Sequence, residues 1–214
     1  MMTVRRMMIP VVSVMTLAIV TPVTVGARAQ VPAPDAAMTR VERAELIDLL
    51  HKSEKEFLDA VESVSDAQWT FKAGADRWSI GEVAEHLVLA EAGLFTTATS
   101  SLTAPADDKW DATVGKTDLL KRALRNRTTK VDAPQEIRPR GDLTRAQVMA
   151  RFKEQRARTL AFAQETEAAL KAHTSPNPFF GAINAYQLLL YIPLHNLRHD
   201  QQIAEVKTAP DYPR

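Results

Sequence analysis

Two histidines four residues apart, His195 and His199, lie in the run Leu188-Leu-Leu-Tyr-Ile-Pro-Leu-His-Asn-Leu-Arg-His-Asp-Gln-Gln-Ile203. On a helix this spacing stacks both imidazoles on one face, one turn apart. Leu188, Tyr191, Ile192, Gln202 and Val206 share that face, so the rings should point into the protein. A third histidine, His86, lies far upstream in another helical stretch, beside Val83 and Ala90 at the edge of an apolar stripe. Buried imidazole nitrogens without partners are costly. A divalent ion on which three of them converge accepts their lone pairs and keeps a coordination position open. The plainer alternative is a set of hydrogen-bonded core histidines.

These residues need long helices to position them. The first helix is expected from Thr39 to Val64, the second from Ser79 to Leu102, the third from Thr144 to Ala172 and the fourth from Asn184 to Lys207. Each opens on a cap residue followed three positions later by Glu or Gln: Thr39/Glu42, Ser79/Glu82, Thr144/Gln147 and Asn184/Gln187. That pattern lets the two side chains satisfy each other's backbone N–H groups. Trp78 with Val83 adds a hydrophobic staple to the second helix. Apolar stripes at helical spacing, and no strand signal between them, predict an all-α four-helix bundle. The link from the second helix to the third, about residues 103–143, is long enough to cross the bundle and carries one short helix, Thr117 to Asn126. Pro193 removes the hydrogen bond to Leu189, and a kink is expected there.

The ends of the chain read differently. Arg5 and Arg6, the apolar run Met7–Val25 and Ala27-Arg28-Ala29 form a signal peptide, residues 1–29, with cleavage after Ala29. The alternative is an uncleaved membrane anchor. Residues 30–38 read as a linker, 39–207 as the bundle and 208–214 as a tail. The expected location is therefore the periplasm or the cell exterior. Cleavage would remove Arg5, Arg6 and Arg28 and leave 24 basic against 26 acidic residues, a net charge of −2. That balance favours neither nucleic acid nor an anionic membrane as partner. The chain has no cysteine, so any metal must be held by nitrogen and oxygen ligands.

Trp78-Ser-Ile-Gly-Glu-Val-Ala-Glu-His-Leu87, followed by His195-Asn-Leu-Arg-His-Asp-Gln-Gln-Ile203, resembles the DinB superfamily over about residues 40–207. The resemblance implies a four-helix bundle of up-down-down-up topology. It implies a divalent metal, zinc or nickel, on three histidines that map onto His86, His195 and His199. Some members of that family are S-transferases or isomerases that use a low-molecular-weight thiol, and homodimers are common among them. Those thiols are cytoplasmic, whereas this chain opens with an export signal.

Around the histidines, Gln202 lies close to one turn beyond His199 and is placed to hold a water or substrate, and Arg198 flanks the face and is placed to hold an anionic substrate group or a surface ion pair. They are the candidate catalytic residues. Glu85 is expected to point away from the stripe, and Asp200, His51 and His173 to face solvent. Trp69, Trp78 and Trp110 read as core or cap packing. Lys116, Lys121, Arg122, Arg125, Arg127 and Lys130 read as a solvated helix face. Two functions fit: a metal-dependent transferase or hydrolase acting on a small molecule, or a non-catalytic metal- or ligand-binding module of envelope stress.

Overall fold

The computed structural model describes residues 34–128 and 131–214. The expected signal peptide at 1–29 lies outside the described residues, as do the first four residues of the expected linker and Lys130. The element order is α1 (Arg40–Val61), α2 (Asp66–Thr70), α3 (Ile80–Ser101), α4 (Asp111–Val114), α5 (Lys116–Arg125), α6 (Arg145–Glu165), β1 (Thr174–Asn177), β2 (Gly181–Asn184) and α7 (Ala185–Lys207). Each long helix begins at the reciprocal cap predicted for it, with Thr39, Ser79, Thr144 and Asn184 as cap residues. A further cap, Ser65 with Gln68, starts α2.

The four long helices form a four-helix bundle in which α1 and α3 each pack on both α6 and α7, and α5 adds to α7. The chain from Ala185 to Asn196 is buried throughout, so the first half of α7 is covered on every side and serves as the central core element. Leu46, Leu50, Leu120 and Leu160 pack around it, against Leu189 and its neighbours. A second cluster joins Phe57, Trp69, Ile80, Val83, Phe152 and Ile203 at the other end of the helices. The helix runs through Pro193 without interruption. Among the described residues no helix is long and apolar enough to cross a membrane.

Two expectations need correction. The third long helix stops at Glu165 rather than Ala172, and Leu170–Ala172 forms a separate 3-10 turn. Arg43 of α1 causes the early stop by donating to the carbonyls of Ala163, Gln164 and Thr166, so a distant side chain takes over the helix's last acceptors. The stretch before α7, expected to lack strands, forms an antiparallel hairpin with Thr174 opposite Asn184 and Asn177 opposite Gly181. Asn177 Oδ1 accepts from the amides of Phe179 and Phe180, and Gly181 takes φ +65°, the left-handed value that closes the turn. Pro176 and the shortness of both strands hid this hairpin from a reading by periodicity.

Gly81 shows how tightly the start of α3 is packed. A Cβ there would lie 2.4 Å from Trp69 Nε1. Gly81→Ala is therefore expected to destabilise the protein by about 1–3 kcal/mol despite alanine's better helix propensity, because the indole must move. Chemical denaturation midpoints check this, and an unchanged or raised midpoint would contradict it.

Candidate metal centre

The cap at Ser79 fixes the start of α3 and, with it, the turn that carries His86. The Glu82 carboxylate returns to the Ser79 amide and also pairs with Lys72 at 2.7 Å. The cap at Asn184 fixes α7 in the same way and is itself buried. Asn184 Nδ2 donates to Thr113 Oγ1, and Gln187 Nε2 donates to the Thr113 carbonyl, which ties α7 to α4. With both helices anchored, His86 meets His195 and His199 in the interior. Their residues are 2%, 9% and 8% exposed.

The three Nε2 atoms face one another. His86 Nε2 is 3.3 Å from His195 Nε2, and His199 Nε2 is 3.0 Å from it. His86 Nδ1 lies 2.7 Å from the Ile137 carbonyl, which only accepts, so Nδ1 carries the hydrogen and Nε2 the lone pair. His199 Nδ1 lies 2.8 Å from Gln202 Oε1. Arg127 Nη1 points at the same atom from 3.5 Å, which identifies it as the amide oxygen, so His199 Nε2 also bears its lone pair. A single hydrogen on His195 Nε2 can bridge at most one of the two contacts. The cluster is thus an acceptor-rich pocket in need of a cation. Two nitrogens on one tetrahedral ion at about 2.05 Å lie about 3.3 Å apart, close to the spacing found.

Electrostatics agree. Burial, and next the neighbouring imidazoles, hold His195 and His199 well below the usual histidine range, and burial lowers His86. All three are neutral at physiological pH, the form that ligates. Trp78 covers them, with its ring centroid 4.9 Å from His86 and 6.4 Å from His199. The Tyr191 ring stands 5.6 Å from His195. Beside the cluster lies a cavity of about 1410 Å³ whose walls include all three histidines, Trp78, Tyr191, Arg198, Gln202, residues of the 126–139 crossover and the tip of the β1–β2 hairpin.

The expected site residues fare differently. Gln202 reaches the site as a partner of His199 Nδ1. Arg198 lines the cavity and donates to the Asn126 carbonyl. Its pKa is lowered by burial and then by the charge of Arg127. Arg127, expected on a solvated face, lines the cavity instead and holds Glu205 through Nε and Nη2. Trp78, read as core or cap packing, lines the cavity as well. Glu85 does not point away: it is 4% exposed and accepts from the amides of Arg140 and Gly141, which pins the crossover three residues beyond Ile137. Asp200 does not face solvent. It is half-buried on the far side of α7 and accepts from Asn196 Nδ2, and burial pushes its carboxyl up to about 8. His173 is half-buried too, while His51 is exposed as expected. Lys116 and Lys121 are engaged with the hairpin carbonyls and Glu45.

Fold and pocket together define a helical bundle with a buried three-histidine cluster at the wall of a cavity. The chain belongs to the DinB superfamily, whose family model matches residues 49–203. No curated protein matches it. Among solved structures it is similar to one described as "YfiT from Bacillus subtilis is a probable metal-dependent hydrolase with an unusual four-helix bundle topology", with 17% identity and a TM-score of 0.48 over 80% of this chain and 89% of that one.

Proposed function

We propose that this protein binds one divalent metal on His86, His195 and His199 and uses it in hydrolysis or group transfer on a small molecule. The observation that carries this reading is the convergence of three Nε2 atoms, two of them fixed as lone-pair donors by the Ile137 carbonyl and Gln202. A divalent ion there would supply Lewis acidity to a substrate oxygen and make water a nucleophile near neutral pH. The chain's own contribution is orientation and exclusion. Ile137 and Gln202 hold the His86 and His199 rings, Trp78 shields them from solvent, and the cavity admits a substrate beside them. That cavity favours an enzyme over a non-catalytic metal- or ligand-binding module with a closed site. The histidine set suits zinc or nickel. A low-molecular-weight thiol remains a cosubstrate to test. With residues 1–29 read as an export signal, the proposed place of action is the periplasm or cell exterior.

Dialysis against zinc or nickel followed by metal analysis tests the first half. Wild type is expected to retain one ion per chain. His86→Ala, His195→Ala and His199→Ala should each weaken binding by more than roughly 100-fold, since loss of a ligand exceeds loss of its hydrogen-bond partner. A wild-type chain that retains no ion would sink the reading. Cobalt substitution tests the second half: added azide should shift the visible spectrum through an open position. An unchanged spectrum would support the non-catalytic module.

A further inference from the structure

The charges that line the cavity are unevenly distributed in depth. Asp76, Arg77, Asp132, Glu136, Arg138 and Glu205 are exposed, at its rim. The charged side chains recessed into it are Arg127 and Arg198, both half-buried. They stand at one place. Arg198 donates to the carbonyl of Asn126, the residue before Arg127. Arg127 in turn touches Gln202, the partner of His199. Glu205 is a carboxylate near them, and it is shared between Arg127 and Arg77. The two recessed guanidinium groups thus stand side by side in the wall that His195 and His199 also line. The remaining wall near the cluster is apolar, formed by Leu94, Leu188 and Phe180.

We propose that the ligand of this cavity is a small organic anion whose carboxylate or phosphate group sits between Arg127 and Arg198 and whose apolar part lies along Leu94, Leu188 and Phe180. Planar guanidinium groups recognise both anions through paired N–H donors, and a recessed setting strengthens such bonds. A metal on the histidines would then face the part of the ligand next to its charged end. The inference rests on reading the cavity as the substrate chamber, but the anion site is built from arginines and needs no metal.

Calorimetric titration of metal-free and zinc-treated protein with 4-phenylbutyrate, phenylphosphonate and the neutral 4-phenylbutanamide tests it. At least one anion is expected to bind the metal-free protein roughly tenfold or more tightly than the amide, and the tighter anion identifies carboxylate or phosphate as the preferred group. Arg198→Gln and Arg127→Gln should each remove that preference, and Arg198→Gln should leave zinc uptake unchanged. Equal affinity for anions and amide in the metal-free protein, including failure of all three to bind, overturns the proposal. So does a preference that survives both substitutions. An anion preference without zinc uptake would overturn the metal reading alone.

Discussion

Replacing Arg156 with methionine is expected to cost about 3–5 kcal/mol of stability, because it strands a buried carboxylate. Arg156 is wholly buried on α6, and all five of its N–H groups are used. Nη1 donates to the Leu50 carbonyl at 2.7 Å and Ser53 Oγ at 2.9 Å. Nε and Nη2 hold the two oxygens of Glu91 at 3.2 and 3.0 Å, and Nη2 also donates to Asn196 Oδ1 at 3.0 Å. The guanidinium lies 5.1 Å from the Phe152 ring centroid. One side chain thus joins α1, α3, α6 and α7. For a chain of this size the loss corresponds to a fall on the order of 10 °C in Tm. Arg156→Lys should lose most of the same energy, since an ammonium cannot reproduce the fork. Arg156→Met combined with Glu91→Leu should recover much of it, because no lone charge is left inside. A fall in Tm of less than about 2 °C for Arg156→Met would refute this account.

The second large effect is in pH. His195 and His199 are held well below the unfolded histidine value of about 6.5 by burial, and then by the neighbouring imidazoles, so the folded metal-free protein refuses protons that the unfolded chain accepts. Above about pH 6.5 neither state is protonated and there is no penalty. Below it, each histidine that stays neutral costs about 1.4 kcal/mol per pH unit, and stability keeps falling until the folded value is passed. Between pH 6.5 and 5 these two residues account for up to about 4 kcal/mol, and His86, lowered by burial, adds to it. Urea midpoints of metal-free protein across this range, beside the His195→Gln, His199→Gln double variant, measure the effect. The variant should show a clearly shallower slope, and matching slopes would disprove it. Metal affinity should follow a related rule. Three free imidazoles lose on the order of 30-fold in affinity from pH 7 to 6 through proton competition. The buried cluster should lose little over that range, so the weakening that ordinary histidine chemistry predicts near pH 6 moves lower.

Much of the bundle was legible from local rules. The reciprocal caps at Thr39, Ser79, Thr144 and Asn184 set four helix starts to within a residue because capping is decided by side chains three positions apart. The helix end at Glu165 was not legible, since Arg43 decides it from more than a hundred residues away. The histidine triad could be read because spacing and an apolar face are properties of one helix at a time. Its support could not. Ile137 offers a backbone carbonyl, which has no sequence signature, and Glu85 reaches that loop from a position that periodicity assigns to the outside. Arg127 looked like any other member of a basic run, and only the path of the crossover brings it against Gln202. Asp200 departs from its expected place for a related reason. Its helix is buried on more than one side, and the single-stripe picture fails there.

Helix α7 carries the histidines on one side and Asn196, bonded to Arg156, on the other. The buried ion pair that locks the core therefore also sets the rotation of the ligand helix, with no metal taking part. Folding is thereby separated from loading: chelation should return an intact, vacant protein rather than an unravelled one. A site held in shape before any ion arrives must select by the spacing of its three nitrogens, so an ion has to fit that spacing rather than reshape it.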